Sequence, residues 1–83
     1  MKKFVVTIID DFNKPMASGM FSATAENLRK KTTDTIGNVF EEDVEIENFN
    51  VKKVFSTTEP ILFQFYAGHW LSGKAQIELA NEF

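Results

Sequence analysis

The segment from Gly68 to Ala75 comes closest to a known chemical motif. Its residues, GHWLSGKA, contain the G-x-x-x-x-G-K core of a phosphate-binding loop, in which backbone N–H groups and the lysine hold phosphate. That chemistry also needs a hydroxyl after the lysine to hold magnesium, but Ala75 occupies the position. Only eight residues follow Ala75, too few for the helix and further strands of such an enzyme. We therefore interpret Ser72-Gly73 as a hairpin turn and expect no nucleotide cofactor.

His69 is the single histidine and the first residue to consider for catalysis or metal binding. A metal site needs several ligands, and an active site needs a partner that orients the imidazole. Asp10-Asp11 and residues 41–47 supply carboxylates, but neither segment has the oxygen spacing and glycine turn of a calcium loop. We therefore predict no catalytic residue, no metal ligand and no cofactor. A small enzyme or nucleotide binder ranks third among our hypotheses.

Five carboxylates within seven residues form what we call the acidic patch: Glu41, Glu42, Asp43, Glu45 and Glu47. A dense row of carboxylates can imitate the phosphates of nucleic acid and block a DNA- or RNA-binding partner. Such a row also keeps a surface solvated and discourages association at a sheet edge. Our alternative functional hypothesis is therefore a small acidic inhibitor that mimics nucleic acid.

Basic residues cluster at Arg29-Lys30-Lys31, although the chain as a whole has a net charge of -3. Residues 1–40 carry six basic and four acidic residues, a net charge of +2. Residues 41–83 carry three basic and eight acidic residues, a net charge of −5. Because no aromatic RNA-binding motif accompanies the basic cluster, we do not expect direct nucleic-acid binding.

The length and composition predict a single α+β domain spanning residues 1–83. The chain has 43% hydrophobic and 25% charged residues, which is typical of a globular domain with one core. It has no cysteine, which excludes a disulfide framework and favours a cytoplasmic location. No segment approaches the ~20 apolar residues of a membrane-spanning helix, so no membrane association is expected.

Hydrophobic periodicity predicts an antiparallel sheet with one helix packed on one face, in the order β-β-α-β-β-β. The helix begins after Thr24 and loses its regularity near Gly37. Its predicted buried stripe, at spacings of three and four, consists of Ala25, Leu28, Thr32, Ile36, Val39 and Phe40. The third strand starts at Val44 and changes phase near Asn48. The last element remains open between a strand and a short helix. The other predicted strands cover residues 3–10, 16–22 and 61–67.

The predicted sheet is wider than its single helix can cover, and this suggests a function for the domain. Five strands make a sheet roughly 20 Å wide, whereas one helix is only ~10 Å across. Strands 3–10 and 61–67 are apolar on both parities, so the second face needs another chain to cover it. Our first hypothesis is a non-enzymatic protein-interaction module, a homodimer or a binder of another protein. The predicted interaction surface contains Phe63, Phe65, Tyr66, His69 and Trp70.

Overall fold

The computed structural model describes residues 1–69 and 71–80 as one five-stranded antiparallel sheet with two helices. The spatial order of the strands is β2-β1-β5-β4-β3. The predicted α+β class is therefore confirmed, and the last element is a strand rather than a helix. In chain order the elements are β1 (Lys2–Ile9), β2 (Pro15–Ala23), α1 (Leu28–Phe40), β3 (Val44–Glu47), α2 (Val51–Ser56), β4 (Ile61–Ala67) and β5 (Leu71–Leu79).

The hairpin between β1 and β2 is closed by a turn that Asp10 organises. One carboxylate oxygen of Asp10 accepts hydrogen bonds from the backbone N–H groups of Phe12 (2.8 Å) and Lys14 (2.9 Å). Asn13 adopts the left-handed conformation, with φ 60°, which asparagine tolerates better than most residues. The register then shifts between Ile8 and Ile9, so β2 contains a bulge near its start.

Helix α1 has the predicted buried stripe but different ends. Leu28, Thr32 and Ile36 are buried and Phe40 packs against the core, as predicted. Ala25, which lies in the turn before the helix, and Val39 are exposed, so their assignment to the stripe was wrong.

The regular helix begins at Leu28 and not directly after Thr24. The side chains of Thr24 and Asn27 accept each other's backbone N–H, as in a capping box, and residues 25–27 form a turn before the helix. The helix also continues past residue 37, where irregularity was expected, and ends at residue 40.

The prediction that the third strand resumes after Asn48 is wrong, because residues 51–56 form the short helix α2. Asn48 has φ 60°, which turns the chain away from the sheet. The side chain of Asn50 then caps α2 by accepting the N–H of Lys53 at 3.1 Å. In the described part of the chain, neither helix is long and apolar enough to cross a membrane.

The core lies between one face of the sheet and the two helices. Phe4 is fully buried, and its ring centroid lies 6.0 Å from Phe21 in β2 and 5.9 Å from Phe55 in α2. The ring of Phe49, just before α2, meets Phe63 in β4 edge-on at 5.2 Å. Both helices therefore cover the same face of the sheet. Neither helix covers the other face, whose surface consists of the outward-pointing side chains of the strands.

Candidate interaction surfaces

The structure separates the residues of the predicted interaction surface. Phe63 and Phe65 point into the core and are 2% and 1% exposed, so they cannot line an exposed surface, and that part of the prediction is wrong. The reason is strand alternation, because both rings share the inward parity of β4. Tyr66 and His69 are exposed. Trp70 lies outside the described residues.

We call the uncovered side of the sheet the open face. Its main apolar side chains are Met20, Leu62 and Tyr66, which are 58%, 59% and 39% exposed. The outward parity of β5 is polar, so between β1 and β4 the second face of the sheet is interrupted by Lys74, Gln76 and Glu78. The apolar members of the open face are Val5, Ile9, Met20, Leu62 and Tyr66, and the polar members include Thr7, Ser18, Gln64, Lys74, Gln76 and Glu78.

All five residues of the acidic patch are exposed. Three of them occupy the turn after α1, and Glu45 and Glu47 project from β3 at one edge of the sheet. The hydroxyl of Tyr66 donates a hydrogen bond to Glu47 at 3.3 Å, which connects the patch to the open face. The patch is thus a solvated group of carboxylates at the β3 edge.

The residues of the phosphate-loop string have structural roles. Gly68 lies in a turn with φ 67°, and its N–H donates to the carbonyl of Asp43 at 3.0 Å. The prediction of a hairpin turn at Ser72-Gly73 is wrong, because both residues lie within β5 and pair with β4. A Cβ atom at Gly73 would lie 2.6 Å from the ring of Phe65. Lys74 pairs with Ile9 on one side and Gln64 on the other. A strand at residues 71–79 cannot wrap its backbone N–H groups around a phosphate as a loop does.

A cleft of about 410 Å³ opens at the end of the sheet where β1 stops and the β4–β5 hairpin continues. Asp10, Asp11 and Lys74 line it together with Tyr66. Asp10 is already engaged in the β1–β2 turn, and His69 is not among the lining residues. Within the described residues, no group of three His, Cys, Asp or Glu side chains is placed to hold a metal ion.

The free edge of β2 is a surface that was not predicted from the sequence. This strand, PMASGMFSA, contains no charged residue over nine positions, and its outer side has no neighbour in the described sheet. The uncharged run was visible in the sequence, but only the strand order shows that it lies at an edge.

In comparisons with known proteins, no protein-family model, no curated protein and no solved structure matches this chain.

Proposed function

We propose that this domain is a non-enzymatic, cytoplasmic protein-interaction module that associates with a second copy of itself through the open face. The observation that carries the proposal is the exposure of Met20, Leu62 and Tyr66 on a face that neither helix covers. Leu62 and Tyr66 lie on β4, whereas Met20 lies on β2, with β1 and β5 between them. Large apolar side chains left exposed on an uncovered face favour an interaction site. A second copy is the simplest partner, because closed twofold dimers are the commonest oligomers.

Leu62→Lys is the first test of this proposal. A lysine within the dimer contact would have to lose its hydration, so the dimer should dissociate. We expect light scattering at micromolar concentration to give the mass of two chains for the wild type and of one chain for the variant.

Leu71→Lys is the matched control for this substitution. Leu71 is 43% exposed but pairs with the buried Ala67, so its side chain lies on the helix side of the sheet. This variant should remain a dimer. A wild-type mass of one chain at high concentration would refute self-association.

The exposure of the whole acidic patch supports a second candidate function, an inhibitor that mimics nucleic acid. Glu45 and Glu47 stand on the same side of β3, about 7 Å apart along the strand, and so present a row of negative charge. Such a row attracts the basic surface of a nucleic-acid-binding protein. The same carboxylates also protect the β3 edge from strand pairing, and for this reason we place the inhibitor second.

An amide-substituted variant separates these two roles of the acidic patch. The variant combines Glu41→Gln, Glu42→Gln, Asp43→Asn, Glu45→Gln and Glu47→Gln. If the chain is an inhibitor, the immobilised wild type should capture a nucleic-acid-binding protein from native lysate. Both salt and added DNA should release that protein, and the amide variant should not capture it. Equal capture by both proteins, or no displacement by DNA, would argue against the inhibitor.

A further inference from the structure

The two edges of the sheet are protected very differently. The β3 edge is four residues long and carries Glu45 and Glu47. The β2 edge is nine residues long and carries no charge. Free edges of long strands attract further strands, and proteins usually block them with charges, bulges or a short length. Here the charges protect β3, whereas most of β2 is left open.

Exposed apolar side chains also gather along β2 and the turn before it. Phe12, Met16 and Met20 are 83%, 64% and 58% exposed. The single bulge of β2 lies at its first residues, so the strand from Ala17 onwards pairs regularly with β1. An edge that combines regular backbone with apolar side chains is suited to pairing with another strand.

Hydrogen bonds of β1 show which backbone groups of β2 point outward. The carbonyl of Lys3 accepts the N–H of Ala80 at 2.9 Å, so the odd residues of β1 direct their backbone groups toward β5. The N–H of Asp10 donates to the carbonyl of Lys14 at 3.0 Å, as expected if the even-numbered residues of β1 direct their backbone groups toward β2. Because Phe4 is even-numbered and pairs with Phe21, the odd-numbered residues of β2 form the hydrogen bonds with β1. The even-numbered residues Ser18, Met20 and Ser22 therefore direct their backbone N–H and C=O groups to the free edge.

We propose that β2 pairs antiparallel with β2 of a second copy, about a twofold axis at Met20, to give one continuous ten-stranded sheet. The proposal shares with the proposed function the premise that the chain self-associates, but it places the contact between the two copies at the β2 edge, not at the open face. A second copy suits this edge because its own β2 is equally uncharged, so no like charges face each other across the new pair.

The register follows from the outward-pointing groups. With Met20 on the axis, Ser18 pairs with Ser22 of the second copy, Met20 with Met20, and Ser22 with Ser18. Each of these three pairs exchanges two backbone hydrogen bonds, so every outward group of the regular strand is used. A register centred on Ser18 or Gly19 would instead require Met16, which lies at the bulge.

This register also builds a larger apolar surface on the open face. Val5 lies beside Met20 in the β1–β2 pairing. Across the axis, the row therefore becomes Val5 and Met20 of one copy followed by Met20 and Val5 of the other. Four adjacent apolar side chains then form a continuous strip where a single copy has only two, so edge pairing buries part of the exposed surface of Met20 against its counterpart.

Ser18→Pro tests the edge while sparing the fold. Proline lacks the N–H that would bond to the second copy, and the N–H of Ser18 is not needed by β1. We expect sedimentation equilibrium to show a dissociation constant raised at least about tenfold, because two hydrogen bonds are lost per dimer. Ser18→Ala keeps the N–H and should associate like the wild type. Circular dichroism checks that both variants are folded.

Comparison with Leu62→Lys distinguishes the edge from the face. If Ser18→Pro dissociates and Leu62→Lys does not, the edge is correct and the face contact of the proposed function fails. If only Leu62→Lys dissociates, the edge is refuted and the face contact stands. A wild type that is a monomer at high concentration refutes both.

Disulfide cross-linking tests the register independently, because the native chain has no cysteine. Two Cα atoms of a hydrogen-bonded antiparallel pair lie about 5.5 Å apart, within disulfide range. Met20→Cys should therefore form a covalent dimer on mild oxidation. Ser18→Cys should not, since the two Ser18 positions would be about 13 Å apart along the strands. Cross-linking through Ser18→Cys alone, or through neither variant, would refute pairing about Met20.

Discussion

Leu28→Ala and Ile36→Ala should each bring the domain close to unfolding. Both side chains are fully buried on α1, two turns apart, in the core between helix and sheet. Truncation removes buried methyl groups and leaves a cavity, which typically costs ~2–5 kcal/mol. A domain of this size has a free energy of unfolding of roughly 5–8 kcal/mol. Urea titration followed by circular dichroism should show a large fall in the transition midpoint for each variant.

Lys30→Ala and Asp34→Ala are the controls on the opposite side of α1. Their side chains form an ion pair with a distance of 3.0 Å from Nζ to Oδ2, but they are 77% and 56% exposed. Solvent screens such a pair, so each control should cost under about 0.5 kcal/mol. Larger losses for the controls than for Leu28→Ala and Ile36→Ala would mean that α1 buries its other face.

Phe65→Ala should be similarly destabilising, because its ring fills the space between β5 and α1. Phe65 is 1% exposed, its ring centroid lies 5.5 Å from that of Phe40, and it pairs across the sheet with Gly73. Loss of a buried phenylalanine ring typically costs ~3–5 kcal/mol. The melting temperature should fall accordingly in differential scanning calorimetry. Gln64→Ala, at the exposed neighbouring position, should change it little.

Gly73→Ala tests the contact between Phe65 and Gly73 by adding an atom at the glycine. The added Cβ would lie 2.6 Å from Cζ of Phe65, so the buried ring would have to move, and overpacking of this kind costs about 1–3 kcal/mol. The cost should be smaller in a Phe65→Ala background, where the ring is absent. Equal costs in both backgrounds would show that Gly73 is needed for a reason other than the ring.

The contact between Phe65 and Gly73 also shows why the phosphate-loop string in the sequence did not indicate the role of its glycine. A glycine followed by lysine was recognisable in the sequence as part of a phosphate-loop string. Its structural reason, an aromatic ring lying against a glycine across two strands, depends on the pairing of β4 with β5. A pairing partner is a tertiary property, because the sequence of one strand does not specify which residue lies opposite.

Local periodicity by itself determined the α+β class, the buried stripe of α1 and the positions of most strands. These features depend on neighbours a few residues apart, so a single segment contains the information. Helix α2 was missed because Phe49, Val51 and Phe55 also fit the alternation of a strand, and six residues are too few to favour either period.

Tertiary structure alone decided which apolar side chains remain accessible. Phe63 and Leu62 are adjacent in an apolar strand, yet one is buried and the other is 59% exposed, because both helices pack on the same face. In the same way, the uncharged sequence of β2 became a candidate interface only when the strand order placed it at the edge of the sheet. Alternation divides a strand into two faces, but the long-range packing of helices and strands determines which face and which edge meet solvent.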